Sequence, residues 1–239
     1  MENILYSVVI PAYNEENYLP DTLKYLKDAM NKSGERGEII VVDNNSTDRT
    51  SDVATSFGAR VVFEPLNQIS RARNSGASRS NGKFIIFLDA DTHVSATLFK
   101  MALKMLRYEG CCGGGVLLST GSDDNRIANC IFGLVNWVCN SLKIAPGCFI
   151  FCTRDAFDAV GGFNERFYAA EEVWFSNSVR IWGKNQGLNF QIINKPKINS
   201  SPRKLESPFR AFLALVSLTL LPFTAYFRTL CWYWYKRPK

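Results

Sequence analysis

The sequence is poor in the residues that bind zinc or build disulfide frameworks. It contains one histidine, and its seven cysteines are odd in number and include no Cys-x-x-Cys pair. This composition indicates neither a thiolate zinc site nor a set of structural disulfides. It favours reduced, mostly buried thiols in a cytoplasmic protein.

The start of the chain lacks the features of a secretory signal. Residues 4–10 follow one acidic residue and run into Pro11, without a basic start, a long apolar stretch or a small-residue cleavage site. We expect them to form the first strand. Internal repeats and low-complexity tracts are also missing, and 239 residues with 46% hydrophobic content suit one full α/β domain with a tail.

Positive charge is concentrated at the end of the chain. Of the net charge of +6, residues from 195 onward contribute +8, which leaves −2 for residues 1–194. The sequence therefore predicts a mildly acidic domain over residues 1–204 and a basic, apolar tail over residues 205–239.

Three segments in the first ninety residues repeat one pattern, a short β-branched run followed by a polar turn and a helical period. The runs are residues 4–10, 39–42 and 60–63. Asn14 is placed to cap the first helix, and residues 43–46 to open the second. Strands that alternate with helices predict an α/β fold with an open, mostly parallel, doubly wound sheet flanked by helices.

The polar residues of this region are expected to converge. Residues 11–15 follow the first strand, Asp43 follows the second, and residues 89–91 follow a run at 84–88 that is apolar on both faces, as in a central strand. Ligands of such sheets bind beyond the carboxyl ends of the strands, so these clusters should line one cleft.

The sequence Asp89-Ala90-Asp91 suits a hard divalent cation. Carboxylate oxygens are ligands that magnesium and manganese prefer, and one or two are enough when a diphosphate supplies the others. Aspartates in such a position also cap helices or close turns. His93, two residues further on, is expected to be a loop residue that points away from Asp91 and does not bind the metal.

Five short motifs follow one another between residues 4 and about 185. They are Val9-Ile10-Pro11-Ala12-Tyr13-Asn14-Glu15-Glu16, Val41-Val42-Asp43-Asn44-Asn45-Ser46-Thr47-Asp48, Ala72-Arg73-Asn74-Ser75-Gly76, Phe87-Leu88-Asp89-Ala90-Asp91, and Gly161-Gly162-Phe163 followed by Glu171-Glu172. Each motif alone is common, but five in register are specific. Together they resemble the family 2 inverting glycosyltransferases of the GT-A fold, which transfer a sugar from a nucleotide diphosphate.

The resemblance implies a role for each site residue. Nucleotide binding would fall to seven of them: Pro11, Ala12 and Tyr13 around the base, Glu15 and Asp89 at the ribose, Asp43 as acceptor of a base N–H, and Arg73 near the nucleotide or bracing the acidic pair. In this family the base is usually uracil. Asp91 would bind Mn²⁺ or Mg²⁺ at the diphosphate, and that metal would offset charge on the leaving group.

Inversion also needs a general base that takes the proton of the acceptor hydroxyl. The resemblance implies Glu172, with Glu171 as the first member of the pair. The family more usually has Asp at the second position, so Glu171 is the alternative base. Two acidic residues also favour a helix N-terminus through its dipole.

The second part of the chain is expected to build the acceptor side. We assign residues 1–118 to the nucleotide-sugar half and 119–204 to the acceptor half. In the tail, an uncharged run at 211–227 is broken by Pro222 and followed by aromatic and basic residues. This pattern predicts an amphipathic helical tail on the anionic inner face of the plasma membrane, and a lipid-linked or cell-envelope acceptor. Alternatively, the tail packs on the domain or in a homodimer.

Three other functions agree less well with the sequence. A nucleotidyltransferase of similar fold would need a glycine-rich basic loop after the first strand, and residues 11–15 have neither glycine nor a base. A non-catalytic nucleotide-sugar-binding adaptor would not need the carboxylates that are present. Nucleic-acid binding is not indicated, because the basic residues of the tail are interleaved with an apolar run.

Overall fold

The computed structural model describes residues 4–119, 126–200 and 231. In these residues the strands are β1 (Tyr6–Ala12), β2 (Gly37–Asp43), β3 (Arg60–Phe63), β4 (Phe84–Leu88), β5 (Thr92–His93), β6 (Cys111–Leu118), β7 (Phe149–Thr153) and β8 (Asn189–Ser200). The helices are α1 (Leu19–Ser33), α2 (Thr50–Ser56), α3 (Ile69–Ser78), α4 (Ala96–Tyr108), α5 (Arg126–Leu142), α6 (Arg154–Val160) and α7 (Glu171–Asn185).

The strands form one sheet in the order β3-β2-β1-β4-β7-β6-β8-β5. The first half is parallel throughout, with β1 between β2 and β4 and with β3 at the edge. All five residues of β4 are buried, as predicted for a central strand. The expected α/β fold with an open sheet flanked by helices is confirmed.

The second half of the sheet is mixed. Strand β7 runs antiparallel to both β4 and β6, β8 is parallel to β6, and the short β5 is antiparallel to β8. Four of the seven pairings among the described residues are therefore parallel, and the antiparallel ones begin where the periodicity of the sequence weakens.

Apolar side chains cover both faces of the sheet. Alternate residues of β1 point to opposite faces, so Val8 joins a core with α1 and α4, whereas Val9 joins a core with α3, α6 and α7. The second core also contains Cys139 of α5. Helix α5 thus lies on the same face as α7.

Both predicted helix caps are wrong. Helix α1 begins at Leu19, and Asn14 instead has a left-handed backbone and accepts a 2.8 Å hydrogen bond from the Thr47 amide. Helix α2 begins at Thr50, whose amide donates to Asp48. In both loops the polar side chains bind the neighbouring loop or their own turn, which delays the start of the helix.

Most of the predicted tail at 205–239 lies outside the described residues, and of this tail Cys231 alone is described, as a buried residue. Among the helices of the described ranges, none is long and apolar enough to cross a bilayer.

Candidate active site

The ends of β1 and β2 bring together the residues predicted to bind the nucleobase. Ala12 and Asp43 lie opposite each other in the sheet, and the amide of Asn44 donates to the carbonyl of Ala12 at 2.8 Å. The Asp43 carboxylate accepts hydrogen bonds from the Ser46 amide (2.8 Å) and the Ser51 hydroxyl (2.6 Å). The orientation of Asp43 is therefore fixed by its own loop.

The loop after Pro11 is attached to the loop after β2. The Glu15 amide donates to the Thr50 hydroxyl at 2.9 Å, and the Glu15 side chain is buried. Tyr13 stays partly exposed beside it. The structure thus gathers Pro11, Tyr13 and Glu15 at the carboxyl end of the sheet, close to Asp43.

Arg73 connects Asp89, after β4, to Glu171 at the start of α7. Its Nη1 donates to Glu171 Oε1 at 2.6 Å, and its Nη2 donates to Asp89 Oδ1 (3.4 Å) and to the Gly147 carbonyl (2.8 Å). The guanidinium carbon lies 5.0 Å from the centre of the Phe163 ring. Of the two roles implied for Arg73, the geometry corresponds to bracing.

Arg73 stays charged although its side chain is only 1% exposed. Burial lowers its pKa, but the carboxylates of Glu171, Asp89 and Glu172 raise it by more. Its Nε has no hydrogen-bond partner among the described residues. The paired nitrogens and the Phe163 ring therefore compensate this buried cation.

The two glutamates at the start of α7 have different surroundings. Glu171 is buried against Arg73, whereas Glu172 is partly exposed. A Cβ atom built at Gly147 would lie 3.4 Å from Arg73 Nη2 and 3.7 Å from Glu172 Cδ, so Gly147 borders both side chains at contact distance. The residue before the pair, Ala170, has a left-handed backbone with φ 60°.

The pKa of Glu172 is raised to about 8. Removal from water is the largest cause, the negative charge of Glu171 is the second, and the charge of Arg73 opposes both. Such a shift brings a carboxyl group into the range where it can exchange protons near neutral pH.

The turn that carries the two aspartates is held from both sides. The Asp89 amide donates to the Cys148 carbonyl at 3.1 Å, and the Thr22 hydroxyl donates to the Ala90 carbonyl at 2.8 Å. Asp91 is 5% exposed and accepts a long hydrogen bond from the Thr92 hydroxyl. The ring of His93 stacks on Tyr25, with 4.4 Å between centroids.

These aspartates fit a hard divalent cation that takes some of its ligands from the protein and the others from a substrate. They supply only carboxylate oxygens, which suit Mg²⁺ and Mn²⁺. Within residues 4–119 and 126–200, no group of three or more histidine, cysteine or acidic side chains could enclose a metal by itself. A diphosphate would have to complete the coordination.

Sequence reasoning missed Gln68, which connects the two halves of the site. Its backbone amide donates to Asn44 Oδ1 at 2.9 Å. Its side-chain Nε2 donates to the carbonyls of Glu165 (2.6 Å) and Phe167 (2.9 Å). The segment that leads into the glutamate pair is thus attached to the loop beside Asp43. The only signal in the sequence was a polar residue before a helix, which is too common to identify a role.

The family and structure comparisons agree with this geometry. The sequence model described as "Glycosyl transferase family 2" matches residues 7–161. One relative is YdaM of Bacillus subtilis (strain 168), named as a probable glycosyltransferase. It is 42% identical over 113 residues, which are 43% of this chain and 27% of YdaM. The match therefore covers a minor part of that protein.

Two solved structures illustrate the shared fold. The mannosyltransferase PcManGT from Pyrobaculum calidifontis, in complex with GDP-Man and Mn²⁺, has a TM-score of 0.67 and 19% identity, covering 90% of this chain and 63% of that one. S. aureus TarS 1-349 in complex with UDP-GlcNAc has a TM-score of 0.63 and 19% identity, covering 82% and 58%.

Proposed function

The chain belongs to glycosyl transferase family 2, and we propose that it transfers a sugar from a UDP-sugar, with inversion and with a divalent cation, to an acceptor presented at a membrane surface. The observation that carries the proposal is the connection, through Arg73, between Asp89 and the Glu171–Glu172 pair. A donor-side carboxylate and a proton acceptor are thereby held in one rigid cluster.

Donor binding is proposed at the carboxyl ends of β1 and β2. Asp43 is oriented by Ser46 and Ser51, and each carboxylate oxygen retains acceptor capacity for a base N–H. Pro11, Ala12 and Tyr13 would surround the base, with Glu15 and Asp89 at the ribose. The structure of TarS with UDP-GlcNAc supports uracil as the base of the donor. The structure of PcManGT with GDP-Man makes guanine the alternative base to be tested.

The cation is proposed to lie beside Asp91. Asp91 would hold Mn²⁺ or Mg²⁺ together with the diphosphate, and the ion would supply charge neutralisation of the leaving group. Thr22 and Cys148 fix the turn that presents Asp91. PcManGT, described with Mn²⁺, supports the need for an ion of this class.

Glu172 is proposed as the general base, with Glu171 as its positioning partner. Glu171 is buried and accepts a 2.6 Å hydrogen bond from Arg73, so its carboxylate is already engaged in an ion pair. Glu172 is partly exposed and has the raised pKa that suits a base near neutral pH. It would take the proton of the acceptor hydroxyl as that oxygen attacks the anomeric carbon.

The acceptor is proposed to bind beside Glu172, on the part of the domain that residues after 118 form. That part contains α7, to which Glu172 belongs, and the loop of Gly147, which adjoins Glu172. The basic, apolar sequence of residues 205–239 supports a place on the inner face of a plasma membrane.

The test is donor binding measured by calorimetry and by thermal shift. UDP and GDP are titrated with and without Mn²⁺ into the wild type and Asp91→Asn. We expect UDP with Mn²⁺ to bind at least tenfold more tightly than GDP, and Asp91→Asn to lose most of the Mn²⁺-dependent gain. Asp52→Asn, a change at an exposed carboxylate on α2, is the matched control. Equal affinity of Asp91→Asn and wild type would remove Asp91 from the metal site.

A further inference from the structure

Helix α5 buries a polar side chain and exposes several large apolar ones. In its C-terminal half, Asn136 faces the protein and is buried, while Leu134, Trp137 and Leu142 are 50%, 67% and 56% exposed. The exposed residues, with partly exposed Val138, follow the spacing of one helical stripe. We refer to residues 134, 137, 138 and 142 as the α5 stripe.

The outward orientation of the stripe is fixed by hydrogen bonds. Asn136 Nδ2 donates to the Leu118 carbonyl at 2.9 Å, and the Leu118 amide donates to Asn136 Oδ1 at 2.9 Å. These two bonds pair the end of β6, beyond residues 113–115 that pair with β7, as a further strand would. Rotating α5 to bury the stripe would break both bonds and leave the Leu118 amide and carbonyl unpaired at a cost.

The chain that follows α5 leads to the catalytic pair. After α5, the Ala145 amide donates to the Ser176 hydroxyl of α7 at 3.0 Å, and Gly147 adjoins Glu172. The stripe thus ends five positions before the glycine that adjoins Glu172.

The chemistry around the stripe suits a lipid surface. The sequence has no acidic residue between Arg126 and Arg154, and the exposed Lys143 directly follows the stripe. Exposed tryptophan next to basic residues is typical of helices that lie in the headgroup region. The stripe is about 12 Å long, and at a width of about 10 Å its area is well below the roughly 800 Å² per partner of a stable protein dimer.

We propose that α5 is an interfacial helix whose stripe docks on an anionic lipid surface and brings the acceptor side of the site to the bilayer. The inference deepens the proposed function, on which its statement about the acceptor rests. It adds a docking element inside the domain that is separate from residues 205–239.

The experiment measures partition of the full chain onto lipid vesicles. Vesicles of phosphatidylcholine with 25% phosphatidylglycerol are compared with pure phosphatidylcholine, for the wild type and the double variant Trp137→Ser/Leu142→Ser. We expect the double variant to lose about tenfold or more in partition onto the anionic vesicles. Tyr108→Ser, which removes a 69% exposed aromatic side chain from α4 on the other face of the sheet, should stay within about twofold of wild type.

Three results would overturn the inference. Unchanged partition of the double variant would mean that the stripe does not touch lipid. A lower unfolding midpoint would mean that the stripe is a packing surface, for example for residues 211–227. A change of mass in light scattering would mean that it contacts a second copy. If the double variant loses partition but the wild type turns over no nucleotide sugar, the docking proposal stands and the sugar-transfer proposal is refuted.

Discussion

Arg73 and Glu171 form a buried ion pair, with 2.6 Å between Nη1 and Oε1, across 98 positions of sequence. Arg73 reaches Asp89 with its other terminal nitrogen. The pair therefore fixes the start of α7 relative to the end of β4. We regard it as the structural basis for different roles of Glu171 and Glu172.

The ion pair predicts a non-additive double-mutant cycle. Arg73→Met leaves the Glu171 carboxylate buried without its partner and should destabilise the fold by about 3–5 kcal/mol. The double variant Arg73→Met/Glu171→Gln should recover a large part of that loss, because the uncompensated charge is gone. Urea unfolding of the four proteins measures the coupling. Additive effects would mean that the two side chains do not stabilise each other.

The raised pKa of Glu172 predicts an unusual pH profile. A base must be deprotonated, so kcat/KM should rise with pH through about 8. Glu171→Gln removes a negative neighbour and leaves the charge of Arg73 to act on Glu172, which should move this rise to lower pH. Steady-state rates between pH 5 and 9.5 provide the measurement. A rise centred near pH 4.5 in the wild type would contradict the assigned environment.

The same shift predicts how stability depends on pH. The pKa of Glu172 is higher in the folded state than the ordinary glutamate value of about 4.3, so folding is favoured when this group is protonated. Its contribution is complete below the unfolded pKa and is lost as the pH rises through about 8. The unfolding midpoint of Glu172→Gln should therefore rise relative to that of the wild type as the pH increases from 5 to 8. A constant difference across this range would argue against the shift.

The bonds of Gln68 predict a variant that impairs turnover more than donor binding. Gln68→Met keeps the length of the side chain but removes its hydrogen bonds to the Glu165 and Phe167 carbonyls, of which the second keeps a 3.3 Å bond from the Ser70 hydroxyl. We expect kcat to fall by roughly tenfold and the Kd for UDP to change less than about threefold, because the segment before the glutamate pair loosens. Gln186→Met, an exposed change just after α7, is the control. A larger effect on Kd than on kcat would place Gln68 on the donor side.

Much of the first half of the fold was predictable because its signals are local. The β-branched runs, the all-apolar strand β4 and the aspartates after it have a fixed spacing in one βα pattern. Parallel strands end at the same edge, which is enough to predict that Asp43 and Asp89 approach each other.

The remaining features depend on contacts between distant residues. The bonds from Arg73 to Glu171 and from Gln68 to Glu165 join residues 98 and 97 positions apart, which the periodicity of the sequence does not encode. For Arg73 the family motif implied only a place near the nucleotide or a bracing role, and for Gln68 it implied nothing. The capping predictions failed for a related reason, because Asn14 bonds a loop that is distant in sequence. The outward stripe of α5 was hidden as well, since an uncharged helix shows by sequence alone neither its buried nor its exposed side.

The most direct test of the account is UDP release from a UDP-sugar, measured for Glu172→Gln and Glu171→Gln beside the wild type. We expect Glu172→Gln to lower turnover by about 10²-fold or more while its Kd for UDP with Mn²⁺ stays within about threefold, because the group acts on the acceptor and not on the donor. Glu171→Gln should retain more activity than Glu172→Gln. Normal turnover in Glu172→Gln together with loss in Glu171→Gln would contradict the assignment of the base.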